Sequence, residues 1–203
     1  MICRMENITH AVYINLDRRT DRRAEIESEL TRLGLSAERF AAVERKPGAL
    51  GCGLSHLSVL QKAKQEGWEN VLILEDDFIF LVDRPTFEQE LRSVFDNKIP
   101  YDVIMLSYGS NHSTAFNPTL SRVTNAQTTS GYLVHSRFYD ALIRVWSHAT
   151  TQMEATGNEH ANAIDQAWKV LQPASDWFCF NRRIGQQRPG FSDIVGSFVT
   201  YNC

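Results

Sequence analysis

The run Glu75-Asp76-Asp77 puts three carboxylates on consecutive residues directly after the apolar stretch Val71–Leu74 (VLIL). Like charges this close repel, so a folded chain keeps them only where something compensates. Side chains alternate along an extended chain, which sets Glu75 and Asp77 on one side and Asp76 on the other. Two hard oxygen ligands on one side are a partial shell for Mn2+ or Mg2+, ions held by one or two carboxylates together with substrate phosphates. A solvated acidic turn is the plainer reading of such a run. Its place at the end of a buried strand favours the metal.

A second cluster carries the complementary charge. Asp17-Arg18-Arg19 follows the apolar run Ala11–Leu16, and Arg22 and Arg23 come one turn into the next helix. Arginine offers phosphate a planar fork of donors, and a helix amino terminus offers free amides to the same anion. Alone, this is a charged helix start with local ion pairs. Beside a carboxylate–metal site, the two clusters would share one diphosphate. The segment Gly51-Cys52-Gly53-Leu54-Ser55-His56 approaches a dinucleotide fingerprint, but His56 stands where a third Gly belongs and no clear strand precedes it. Its glycines are expected to let the backbone approach a ligand at the start of a helix over 54–65. Asp165, beside Ile164 in the apolar stripe of a late helix, is the candidate catalytic base, with Asp193 the second choice. A helix-start Asp favoured by the dipole is the alternative for Asp165. The segment 188–193, with Arg188, would close over phosphates or lie on the surface.

The elements that must position these groups read as strands alternating with helices. Apolar runs at 11–16, 71–74, 103–106, 131–134 and 177–180, and a shorter one at 39–43, predict strands. Helical spacing predicts helices after Thr20 (its N-cap, ending at Gly34), over 54–65, after Asp83, from Phe138, and from Ile164 to before Pro173. Lys46–Gly53, 111–118, 150–158 and 182–193 read as loop. The expected fold is a three-layer α/β/α sandwich around a mostly parallel central sheet, in a single domain over 1–203, natural or cut from a longer chain. In such a sheet ligands sit outside the carboxyl ends of the strands, where the charged clusters lie.

Composition excludes other classes. The chain has 203 residues, 43% hydrophobic, with 21 basic against 24 acidic side chains and a net charge of −3. No overall positive field exists to hold nucleic acid. No apolar run approaches the roughly 20 residues that cross a bilayer, and the amino terminus lacks a secretory signal. A soluble, cytoplasmic protein is expected, peripheral membrane association left open. The four cysteines lack metal-site spacing and read as free thiols.

The ordered motifs INLDRRTDRR, GCGLSHL, VLILEDD and YDVIMLS, with the late Asp165, resemble glycosyltransferase family 25, which includes lipooligosaccharide and collagen galactosyltransferases. The resemblance runs from Val12 to about Ile194. It implies a GT-A fold, a nucleotide-diphosphate sugar donor (often UDP-linked), a glycan or glycosylated acceptor, a divalent metal and inversion at the anomeric carbon. It makes Glu75-Asp76-Asp77 a DxD-type motif, with Asp77 the main metal ligand and Glu75 or Asp76 meeting ribose or a metal-bound water. Asn15, Leu16, Asp17, Arg18 and Arg22 would belong to the nucleotide-binding first loop, and Ser55-His56 would match the family's Ser-His pair. The motif departs from the pattern in its first acid, Glu75. A non-catalytic nucleotide-, sugar- or calcium-binding module of the same fold is the alternative. A phosphatase-like fold ranks low, because its nucleophile must be an Asp in the place Glu75 holds.

Overall fold

The computed structural model describes residues 7–201 and 203, apart from the side chains of Ser110 and Asn111. In chain order its elements are β1 (His10–Asn15), α1 (Thr20–Leu33), β2 (Glu38–Ala41), α2 (Gly48–Gln65), β3 (Asn70–Glu75), β4 (Phe78–Phe80), α3 (Arg84–Phe95), β5 (Val103–Met105), β6 (Gly109–Ala115), β7 (Leu120–Gln127), β8 (Gly131–His135), α4 (Tyr139–Thr156), α5 (Glu159–Asn162), α6 (Ile164–Ala167), β9 (Trp177–Phe180), β10 (Gly185–Gln187), β11 (Gly190–Ser192) and β12 (Ser197–Val199).

Period-two alternation in the buried strands builds two cores. Ala11, Tyr13, Leu72 and Leu74 face the apolar stripes of α1 and α3 (Ile26, Leu30, Phe87, Leu91). Val12, Ile14, Val71 and Ile73 face those of α2 and α4 (Leu57, Leu60, Leu142, Trp146). A strand apolar on both faces must be covered on both faces, and the result is three layers. The central sheet has eight strands in the order β2-β1-β3-β8-β5-β9-β7-β6. Its pairings set six strands in one direction, with β8 and β7 reversed, so the sheet is mostly parallel as expected. No helix among the described residues is long and apolar enough to cross a membrane.

Several local expectations are corrected. The α1 helix begins at Thr20 itself: Arg19 holds the cap position without a side-chain cap bond, while Gly34 closes the helix in the left-handed region at φ 65°. The 46–53 loop is mostly helix, because α2 starts at Gly48. Its glycines serve packing: a methyl at Gly51 would meet the Val43 carbonyl oxygen at 2.5 Å, and one at Gly53 would meet Thr150 and Ile164 at 3.0 Å. Segment 111–118 belongs to a polar hairpin, β6–β7, whose β6 is a sheet edge and needs no apolar face. Likewise α4 runs on to Thr156, and the helix expected from Ile164 breaks into α6 and short 3-10 turns. The Asp83 cap stands, its side chain accepting from the Thr86 amide. Cys52, Cys179 and Cys203 form no disulfide among the described residues; Cys3 lies outside them.

Candidate active site

β3 is buried up to Leu74, and the chain turns at Asp76-Asp77 before β4. The turn ends the strict alternation expected for the acid trio. Instead, Asp76 and Asp77 share one cation: Nη1 of Arg22, from the first turn of α1, lies 2.9 Å from Oδ1 of Asp76 and 3.2 Å from Oδ2 of Asp77. Asn15, at the end of β1, donates from Nδ2 to Oδ2 of Asp76 at 2.8 Å. Glu75 points elsewhere, accepting from the Thr129 hydroxyl at 2.7 Å and lying 3.2 Å from Nε2 of His56.

The three acids therefore differ in charge behaviour. Burial, with repulsion from Glu75, pushes Asp77 up to about 7 despite Arg22. Burial also raises Asp76, against the pull of Asn15 and Arg22. Burial acts the same way on Glu75, but the His56 ring and the Thr129 hydroxyl outweigh it and hold that carboxyl below its ordinary value. Oδ1 of Asp77 is buried without a hydrogen-bond partner among the described residues. A carboxylate oxygen left unpaired in a buried site is a ready ligand for a cation, so the donor set fits a hard divalent ion.

Two adjoining cavities meet at this point. The first, about 250 Å³, is lined by Leu16, Arg18, Arg22, Ser55, His56, the acid trio and Asp193. The second, about 430 Å³, is lined by Cys52, Thr128, Thr129, Asp165 and Gln187 among others. Glu75 borders both and stands in the wall between them. Asp165, at the start of α6, accepts from the Thr128 amide at 3.2 Å, and burial raises its pKa. Thr128 itself sits at φ 90°, costly for a β-branched residue and of a kind that collects at functional sites. Its strained backbone aims the amide at the candidate base.

His56 is fully buried, its Nδ1 2.8 Å from the Tyr132 hydroxyl, with Trp146 edge-on against the ring. Ser55 lines the first cavity, but its hydroxyl is occupied: it accepts from the Val43 amide and donates to the Gly51 carbonyl. Three expected contributors are placed differently. Asp17 is exposed and paired with Arg39 of β2, away from both cavities. Arg188 lies along α1, 2.8 Å from Glu25, so its guanidinium does not reach the cavity. Asp193 does line the first cavity, yet Arg18 and Arg19 both engage its carboxylate and hold it below the ordinary range, which makes it a poor proton acceptor. Thr128, Thr129 and Gln187 also line the second cavity, and no motif in the sequence marks them.

Residues 46–148 match the model of "Glycosyltransferase family 25 (LPS biosynthesis protein)". A "Glycosyltransferase 25 family member" of Aedes aegypti is 30% identical over 118 residues, covering 44% of this chain and 19% of the relative. One of Drosophila melanogaster is 30% identical over 122 residues, covering 45% and 19%. The chain thus spans about a fifth of the length of these curated relatives. Among solved structures, a glycosyltransferase involved in the glycosylation of the major capsid of PBCV-1 superposes with a TM-score of 0.59 at 12% identity, covering 92% of this chain and 95% of that one. A197 from STIV gives 0.51 at 9% identity, covering 96% and 95%. Both likenesses concern the fold, which is of the GT-A type. With the family model spanning half of the chain, over the glycine-rich start of α2, His56 and the acid trio, the chain belongs to glycosyltransferase family 25.

Proposed function

We propose that this chain transfers a sugar from a nucleotide-diphosphate donor, UDP-linked in the simplest reading, to a hydroxyl of a glycan or glycosylated acceptor, with inversion. The observation that carries the reading is the meeting of two cavities at Glu75, one lined by arginines and acids, the other by the buried Asp165. Asn15, Leu16, Arg18 and Arg22 would bind the nucleotide and its diphosphate. Arg22 is the natural diphosphate contact, because its guanidinium already bridges two buried acids at the cavity wall. Asp77, with Glu75 or Asp76, would hold Mn2+ or Mg2+, which when bound offsets the charge that grows on the departing diphosphate.

Asp165 acts from the second cavity. Its carboxylate takes the proton of the acceptor hydroxyl as that oxygen bonds to the anomeric carbon and the bond to the diphosphate breaks on the opposite face, inverting the centre. Burial favours this role, since a raised pKa makes a carboxylate a stronger base. The Thr128 amide fixes the carboxylate's direction. Hydrolysis of a panel of nucleotide sugars in the presence of Mn2+ tests the proposal, because water can stand in for the acceptor. One donor cleaved far above the others, with Mn2+ required, supports it. No donor cleaved, together with stabilisation by Ca2+ alone, would turn the reading toward a binding module.

A further inference from the structure

Two side chains beside Glu75, Cys52 and His56, have no place in the proposed reaction. Cys52 and His56 lie four residues apart on α2, on one helix face, and with Glu75 they offer a sulfur, a ring nitrogen and a carboxylate oxygen all within 4.8 Å of one another. In a tetrahedral zinc site, ligand atoms bound at about 2.0–2.3 Å lie about 3.5 Å apart, so small rotations bring these three into range. Thiolate and imidazole select borderline-soft ions, whereas the all-oxygen pair Asp76 and Asp77 suits hard ones. We propose that Cys52, His56 and Glu75 form a binding site for Zn2+ or a similarly thiophilic divalent ion, separate from the hard-ion position at Asp77.

The surroundings complete such a site. Nδ1 of His56 lies 2.8 Å from the Tyr132 hydroxyl, and Nε2 faces Glu75. With no ion bound, the hydroxyl donates to Nδ1, and Nε2–H donates to Glu75. With an ion bound, the ring proton sits on Nδ1, which donates a hydrogen bond to the hydroxyl oxygen, freeing the Nε2 lone pair. Histidine ligands are commonly oriented in this way through their second nitrogen. The Cys52 thiol gives its proton to solvent, so each ion bound releases one proton. Cys52 and Glu75 both border the second cavity, which leaves a fourth position open to water. An ion held here takes Glu75 from the partition between the cavities. On the proposed function, Zn2+ therefore inhibits transfer, while the site itself stands whether or not transfer is confirmed.

Cobalt(II) is the probe, because a bound thiolate gives it a charge-transfer band in the near ultraviolet. Titrating the full chain is expected to raise that band to one equivalent, with stoichiometric Zn2+ abolishing it. Cys203→Ser keeps the band and Cys52→Ser loses it, each variant's melting curve being compared with that of the parent. Glu75→Gln retains the sulfur ligand but weakens Co2+ binding by at least about tenfold. No band in the parent chain, a band that survives Cys52→Ser, or Co2+ binding unchanged in Glu75→Gln would overturn the site. Because each readout is spectroscopic, failure here leaves the transfer proposal standing, and absent transfer leaves this site standing.

Discussion

Nη1 of Arg22 lies 2.9 Å from Oδ1 of Asp76, tying the first turn of α1 to the end of β3 across the mouth of the first cavity. The same atom reaches Asp77, and Nη2 donates to the Phe191 carbonyl, so one side chain holds three segments together. Both sides of the ion pair are largely shielded, at 14% and 10% exposure. Removing one partner of a shielded pair leaves an uncompensated charge. Arg22→Met is expected to destabilise the chain by about 3 kcal/mol in urea unfolding. A loss below about 1 kcal/mol, the level of an exposed pair, would show that Arg22 is not the compensating charge.

Asp77 supplies a pH prediction. Its folded pKa is raised from 3.8 to about 7, so the folded state holds a proton that the unfolded state has released. Stability therefore falls as pH rises through that window, and the loss is complete above it. Asp77→Asn removes the titration. Without added metal, the variant should melt at a temperature similar to the parent's near pH 4 and above the parent's at pH 8. A gap that stays constant with pH would refute the assignment.

The base assignment rests on Asp165. Asp165→Asn keeps the shape and the Thr128 contact but cannot take a proton. Transfer should drop roughly 10²–10⁴-fold while donor affinity is unchanged. Near-normal turnover in the variant would exclude Asp165.

At Gly51 the expected sign runs against helix propensity. Gly→Ala inside a helix ordinarily gains up to about 1 kcal/mol. Here a methyl would come within 2.5 Å of the Val43 carbonyl, which is backbone in a short connection and cannot yield cheaply. Gly51→Ala should lower the melting temperature, and a rise would show that the α2 start can move away from Val43.

The parts of the site that were legible in the sequence share a reason. Val71–Leu74 and Ala11–Leu16 are apolar on both faces, so their strands and the charged residues at their carboxyl ends could be placed by period alone. Thr128 and Thr129 could not. They precede β8, which runs against its neighbours β3 and β5, so its amino end reaches the edge where the other strands finish. A rule that looks only past carboxyl ends misses them, and no local pattern marks the reversal. Segment 111–118 of the β6–β7 hairpin reads as loop because it is polar, and it is largely exposed. Asp17 and Arg188 illustrate a further limit: sequence shows their charge but not their partners, and Arg39 and Glu25 hold them away from the cavity. The start of α2 was hidden by Gly51 and Gly53, whose small size is demanded by contacts distant in sequence.

Calorimetry of a nucleoside diphosphate with and without Mn2+ decides whether a divalent ion joins Asp77 to a diphosphate beside Arg22. Tight binding is expected only with Mn2+ present, with loss of that dependence in Asp77→Asn. Equal binding with and without the ion, or Mn2+-dependent binding that persists in Asp77→Asn, would contradict it.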